Sequence, residues 1–247
     1  MVGLDDARDV GLNMAAVQKE SMALLALQHR GIERYDGAYL YEEVDVDGDT
    51  VIDYCIAMEY VGGGSLAALV AKQEPLSEAH LTALVAQMCS ALDHMHVDCR
   101  MQHRDIKTEN MLLNEAGEVK ICDLGLACAA QTKASMTRGV GTNTYMSPEK
   151  GRGQRYGVAD DMWSLGCVVA ELVTLVPTST HSPAGLWAVA AQKVPAIVEA
   201  VRAAHPRFAE PVRAMLQEEP AARPTAKQAR LLLEGGGGGG GGGTLRP

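Results

Sequence analysis

Residues 103–113, "HRDIKTENMLL", constrain this chain more than any other stretch. Arg104, Asp105, Lys107 and Glu109 stand with His103 directly before an apolar run. The preceding "LVAQMCSALDHM" carries one apolar face at helical spacing. Charges set beside core-forming segments are costly unless each has a partner or a task. The segment therefore marks a candidate site, and the rest of the chain is read around it.

Residues 13–28 read as a helix, with Val17, Leu24 and Leu27 on one stripe. Glu20 lies three residues after Val17 and four before Leu24, so it shares that inward face. Apolar stretches near 32–40 and 51–58 flank "DVDGDT", whose Asp-Gly pair predicts a β-hairpin. "GGGS" at 62–65 breaks the pattern, and Ser65 is a candidate cap for a short helix. A longer helix is expected over 77–97, with Ser77 as N-cap and Glu78 in its first turn. "MLLNEAGEVKIC" predicts a second hairpin, turned at Asn114 to Gly117. Residues 123–150 read as loop, and from Ala159 onward the pattern is mainly helical. Nine glycines, 235–243, read as a flexible tail.

Composition excludes several function classes. The net charge of −9 makes a phosphate backbone a poor partner, so no nucleic acid is expected. "CVVAELVTLV" is too short to span a membrane and carries Glu171. No basic segment followed by an apolar one opens the chain, so no signal peptide is read. Six cysteines without C-x-x-C spacing suggest reduced thiols and a cytoplasmic protein. His94, His96, Cys99 and His103 could suggest zinc, but two of these histidines sit two apart on a helix and face different ways.

Five short motifs then occur in one order. "HRDIKTEN" resembles the catalytic loop of protein kinases, H-R-D-x-K-x-x-N. "DLG" at 123–125 resembles the D-F-G element, and "GTNTYMSPE" resembles the stretch ending in A-P-E. "DDMWSLGCVVAEL" resembles the helix that anchors the larger lobe, and "EEPAARPT" the late arginine that pairs with the Glu of A-P-E. The resemblance covers residues 1 to about 233 and implies an α+β, bilobal protein-kinase-like fold. The divisions expected are a partial small lobe over 1–61, a mainly helical large lobe over 62–233, and a tail over 234–247. "MSPE", "HRDIKTEN" and "LQHRGIERY" resemble the NIMA-related kinases among Ser/Thr kinases.

The resemblance implies ATP and Mg²⁺ as cofactors and protein Ser or Thr as acceptor. Asp105 would accept the hydroxyl proton, Lys107 would neutralise the γ-phosphate, and Asn110 and Asp123 would hold the metal. Met58 would guard the back pocket. Backbone groups from Glu59 to Val61 would meet adenine, with Leu112 also at the nucleotide. His103, Leu124 and Leu24 would pack in an internal spine, and Asp161 would hold the loop backbone from below. Glu149 and Arg223 would form a buried ion pair. Arg104 would grip a phosphate on the activation segment, with Ser135 and Thr137 as candidate acceptors, and Thr142 fits a Ser/Thr kinase.

Glu20 resembles the helix Glu whose partner is the lysine of V-A-I-K. That lysine would fall at or before Met1, and no G-x-G-x-x-G precedes Glu20; Lys19 adjoins Glu20 and faces elsewhere. The expectation is a truncated small lobe, very weak or undetectable turnover of this polypeptide alone, and an aggregation-prone hairpin. The alternatives are a non-catalytic kinase-fold module that binds proteins, and an unrelated helical scaffold.

Overall fold

The computed structural model describes residues 24–44, 46, 48, 50–124, 128–129, 143–177 and 187–235. The fold is α+β, with a small two-stranded sheet leading into a mainly helical body. Strand β1 (Tyr35–Val44) pairs antiparallel with β2 (Thr50–Met58), so the expected hairpin forms. The register shifts between Tyr35 and Gly37, where Gly37 takes φ +152°. Ile32 lies outside this hairpin and makes a parallel bridge to Ile121. The backbone alternation that continues the strand pattern cannot reveal that partner, because bridge partners are chosen by packing.

Helix α1 (Leu66–Ala71) begins at Ser65, whose Oγ accepts the Ala68 N–H at 3.2 Å. Helix α2 (Glu78–Asp93) begins at Ser77, whose Oγ accepts the His80 N–H at 3.2 Å. Both caps satisfy an N–H that the helix itself cannot. Buried Leu81, Leu84, Val85, Met88, Cys89 and Leu92 repeat every three or four residues along α2. Residues expected to continue this helix instead form a π turn, His94–Asp98. Residues 24–26 are helical and the chain has left the helix by Leu27, earlier than expected.

Strand β3 (Met101–Gln102) pairs with β6 (Cys128–Ala129), and β4 (Met111–Leu113) pairs with β5 (Val119–Ile121). The β4–β5 turn is closed by Asn114, whose Oδ1 accepts from Ala116 and Glu118 N–H at 3.0 and 2.9 Å. Gly117, at φ +75°, supplies the left-handed residue that this turn needs. The 123–150 stretch is thus not all loop: it also holds β6 and helix α3 (Pro148–Gly151). Glycines 62–64 make the connection to α1. A Cβ on Gly63 would stand 2.4 Å from Leu113 O, so backbone meets backbone there.

Helix α4 (Val158–Thr174) runs through the core, and every residue from Asp160 to Val173 is buried. A helix apolar on nearly all sides needs neighbours on all sides. They are α2, α5 (Trp187–Ala204) and α6 (Pro206–Met215), while α7 (Ala226–Gly235) packs on α2 and α6. Gly235, the first of the nine glycines, ends α7, so the helix extends into the residues expected to be tail. No helix among the described residues is long and apolar enough to cross a membrane.

Candidate functional site

The 103–110 loop leaves β3, passes through a 3₁₀ turn at Thr108–Asn110 and enters β4. Asp161, in the first turn of α4, ties it down from beneath. Its Oδ2 accepts from His103 N–H and Oδ1 from Arg104 N–H, both at 2.8 Å. His96, on the π turn, adds a third contact to Oδ2 at 2.8 Å. Burial opposes ionisation of Asp161. The bonds from His96 and the Arg104 backbone, with His103 nearby, overcome it and hold its pKa below the usual carboxylate range. The anchoring role expected of Asp161 is met, while His96 was not foreseen.

His103 is fully buried. Its Nε2 donates to Cys122 O at 3.0 Å, and its Nδ1 accepts the Asp105 N–H at 3.3 Å. Those roles require the neutral ring, and burial lowers its pKa accordingly. One imidazole therefore ties the residue before Asp123 to the backbone of Asp105. Leu24 and Leu124, expected to pack with it, are also buried.

Asp105 and Asp123 meet at Asn110. The Asn110 Nδ2 donates to Asp105 O at 2.9 Å and to Asp105 Oδ2 at 3.0 Å, and lies 3.5 Å from Asp123 Oδ2. Lys107 Nζ stands 2.5 Å from Asp105 Oδ2. Two carboxylates, one amide and one ammonium, three of them from the 103–110 loop and the fourth from Asp123, thus share one small space. Arg104 and Asp123 have φ of +74° and +60°, which side-chain-bearing residues rarely adopt. Such backbone persists only where surroundings over-determine it, and it clusters at functional sites.

Glu33 belongs to the same neighbourhood and was missed in the sequence. Its N–H donates to Ile121 O at 2.9 Å, and its carboxylate lies close enough to Asp123 to feel its charge. Burial, reinforced by Glu59 and Asp123, pushes its pKa up. Nothing local marks it: it reads as one charged residue in "HRGIERY".

Glu59, Val61 and Leu112 border the connection between the hairpin and the helical body. The Glu59 N–H donates to Arg34 O at 2.8 Å, so only its carbonyl is left to offer a base. Its side chain faces Lys120 Nζ at 2.5 Å. Leu112 bridges to Ser65 in the antiparallel sense, which sets this β4 residue under the connection. Met58 packs half-buried against the core. Glu20, Gly125, Ser135, Thr137 and Thr142 lie outside the described residues. The Arg104 guanidinium lies against the Gln102 side-chain amide and 5.9 Å from the Tyr156 ring.

The expected Glu149–Arg223 pair is present. Arg223 Nη1 and Nη2 donate to the two Glu149 oxygens at 2.7 and 2.8 Å, with side chains 0% and 4% exposed. The pair ties α3 to the 217–223 segment and, through Ala159 O, to the start of α4.

The donor set suits a hard cation. Asp123 brings a carboxylate beside the Asn110 amide, whose Nδ2 faces it and whose oxygen a flip of the amide would turn toward a metal; Mg²⁺ is commonly held by one or two carboxylates with phosphate and water completing the shell. No group of three His, Cys, Asp or Glu residues that could hold a metal occurs among the described residues, which leaves no dedicated all-protein cage there.

A model of the protein kinase domain family matches residues 5–231. Mitogen-activated protein kinase kinase 2 of Arabidopsis thaliana is 34% identical over 181 residues, 70% of this chain and 50% of that protein. The kinase kinase SIPKK of Nicotiana tabacum is 42% identical over 120 residues, 48% of this chain and 34% of that protein. Serine/threonine-protein kinase dst1 of Dictyostelium discoideum is 29% identical over 231 residues, 92% of this chain and 29% of that protein. The chain spans half or less of the length of these three relatives. None of them supports the NIMA-related resemblance.

Proposed function

This chain belongs to the protein kinase domain family, and on that premise we propose that it transfers the γ-phosphoryl group of ATP to a Ser or Thr hydroxyl of a protein. The supporting observation is the Asn110 amide lying between the carboxylates of Asp105 and Asp123. Asp105 accepts the hydroxyl proton and orients the oxygen for attack. Lys107 gives positive charge to the transferring phosphoryl group, and its place beside Asp105 Oδ2 keeps it within reach. Asn110 and Asp123 would hold Mg²⁺, which neutralises phosphate charge when bound. The carbonyl of Glu59 and the backbone of Val61 receive the base, with Leu112 beneath it.

Residues 1–61 are taken as small-lobe sequence and 62–233 as the large lobe. The relatives favour a place near the mitogen-activated protein kinase kinases over a NIMA-related one. Free Cys55, Cys89, Cys99, Cys122 and Cys167 support a reducing compartment, here the cytoplasm. A non-catalytic, protein-binding role has one observation in its favour: within these 247 residues only Lys19 precedes Glu20 as a lysine.

Thermal denaturation with ATP, with and without Mg²⁺, separates the readings. The chain should gain stability from nucleotide in a Mg²⁺-dependent way, and Asp123→Asn should lose that dependence. Equal stabilisation of both proteins by Mg²⁺ and ATP, or of neither, would overturn the assignment. Phosphate transfer to a Ser- and Thr-containing protein, abolished by Asp105→Asn, tests the reaction itself.

A further inference from the structure

The position of Asp105 depends on the peptide that joins it to Arg104, a residue in the left-handed region at φ +74°. Both edges of that peptide are pinned. Its N–H donates to His103 Nδ1 at 3.3 Å, and its carbonyl accepts from Lys150 Nζ at 2.7 Å. Lys150 is 46 residues away in sequence, on α3. Its ammonium also meets Asp160 Oδ2 at 3.1 Å. The other oxygen of Asp160 accepts from Ser147 Oγ at 2.6 Å. Tyr156 lies beside the ammonium, its ring centroid 5.1 Å away.

Asp160 is 1% exposed and adjoins the equally buried Asp161. Burial, with Asp161 as a like-charge neighbour, disfavours its ionisation, and Lys150 and Ser147 oppose that. Two roles for Lys150 then compete. It could serve only to compensate a buried charge, or it could use that charge as an anchor from which to hold the loop. The distances favour the second. The bond to Arg104 O is the shorter of the two, and an anchored ammonium has less freedom to lose than a surface lysine.

We propose that Lys150 is a positioning residue that, anchored on Asp160, fixes the Arg104–Asp105 peptide and so aims the Asp105 carboxylate. The inference rests on the reading of Asp105 as proton acceptor, but its first readout does not. Amide hydrogen exchange across 103–110 is measured in the 247-residue chain, in Lys150→Met and in Lys150→Met/Asp160→Asn. Lys150→Met should speed exchange in that segment about tenfold, the scale of one lost charged hydrogen bond. Adding Asp160→Asn removes the stranded carboxylate, so thermal stability and exchange in α4 should recover while 103–110 stays fast. Where the parent chain transfers phosphate, both variants should lose about tenfold in kcat with KM for ATP unchanged.

Unchanged exchange over 103–110 in Lys150→Met overturns the proposal. So does its full recovery in the double variant, which would leave charge compensation as the only role. If Lys150→Met does not fold, the double variant alone decides between these outcomes. A parent chain whose stability shows no Mg²⁺-dependent response to ATP would refute the proposed function and leave the exchange result standing.

Discussion

Replacing Arg223 with methionine removes five donors from one buried place. Its Nε donates to Gln217 O at 2.7 Å. Nη1 serves Glu149 Oε1 and Ala159 O at 2.7 and 2.9 Å, and Nη2 serves Glu149 Oε2 and Glu218 O at 2.8 and 3.1 Å. Trp163 lies beside the guanidinium, its ring centroid 5.1 Å away. Methionine keeps much of the volume but strands the Glu149 carboxylate, which is 4% exposed. Breaking a buried pair on one side costs about 3–5 kcal/mol. At 2–4 °C per kcal/mol for a chain of this size, Tm should fall by roughly 6–20 °C. Arg223→Met/Glu149→Met should regain about half of that, since no charge is stranded but three carbonyls have lost their donor. Arg213→Met, which breaks a pair with 53% and 59% exposed side chains, should cost under about 1 kcal/mol.

The pH dependence has a definite sign. Burial opposes ionisation of Glu149, yet the Arg223 bonds outweigh it and hold its pKa below the ordinary 4.5. A depressed folded-state value means stability that is present above about 4.5 and lost as pH falls through the folded value. In Arg223→Met the Arg223 bonds are gone and only the Glu149 backbone and Ser147 bonds still oppose burial, so the Glu149 pKa rises from its paired value and the penalty is relieved by acid. The Tm gap between the two proteins should therefore be wide near about pH 7 and narrow near about pH 4. A single variant within about 3 °C of the parent, or a double variant no better than the single, would refute the reasoning.

Gly63→Ala should lower the urea midpoint by the equivalent of about 1–3 kcal/mol, because a Cβ there meets Leu113 O and Asn114 O at 2.4 and 2.9 Å and backbone cannot step aside; an unchanged midpoint would show that the connection can move. Leu40→Lys should slow aggregation of the 247-residue chain at least about threefold in light scattering, with Tm kept, because Tyr39, Leu40 and Val44 on β1 are 58%, 52% and 65% exposed. Equal aggregation rates would place the sticky surface elsewhere.

Much of the fold was legible because it is written in local chemistry. Ser65 and Ser77 cap the helices that follow them, Asn114 and Gly117 turn the second hairpin, and the Asp-Gly pair predicts the first. Each depends on bonds spanning a few residues. The misreadings sit where contacts are long-range. Ile32 joins Ile121 and not the hairpin, α2 ends in a π turn, and α7 runs on to Gly235. In each case the deciding partner lies elsewhere in the chain, or the residues sit at an element boundary where local preference is weak.

The site divides along the same line. Sequence by itself determined the chemical inventory, an Asp, a Lys and an Asn within six residues and a second Asp thirteen residues beyond, because residue type and spacing are properties of the chain alone. Only the tertiary structure decided that Asn110 lies between the two carboxylates, that Glu33 comes beside Asp123, and that Lys150 reaches the carbonyl of Arg104. Those contacts exist because buried charges and unpaired backbone groups must find partners at once, and packing around α4 is what brings the partners within reach.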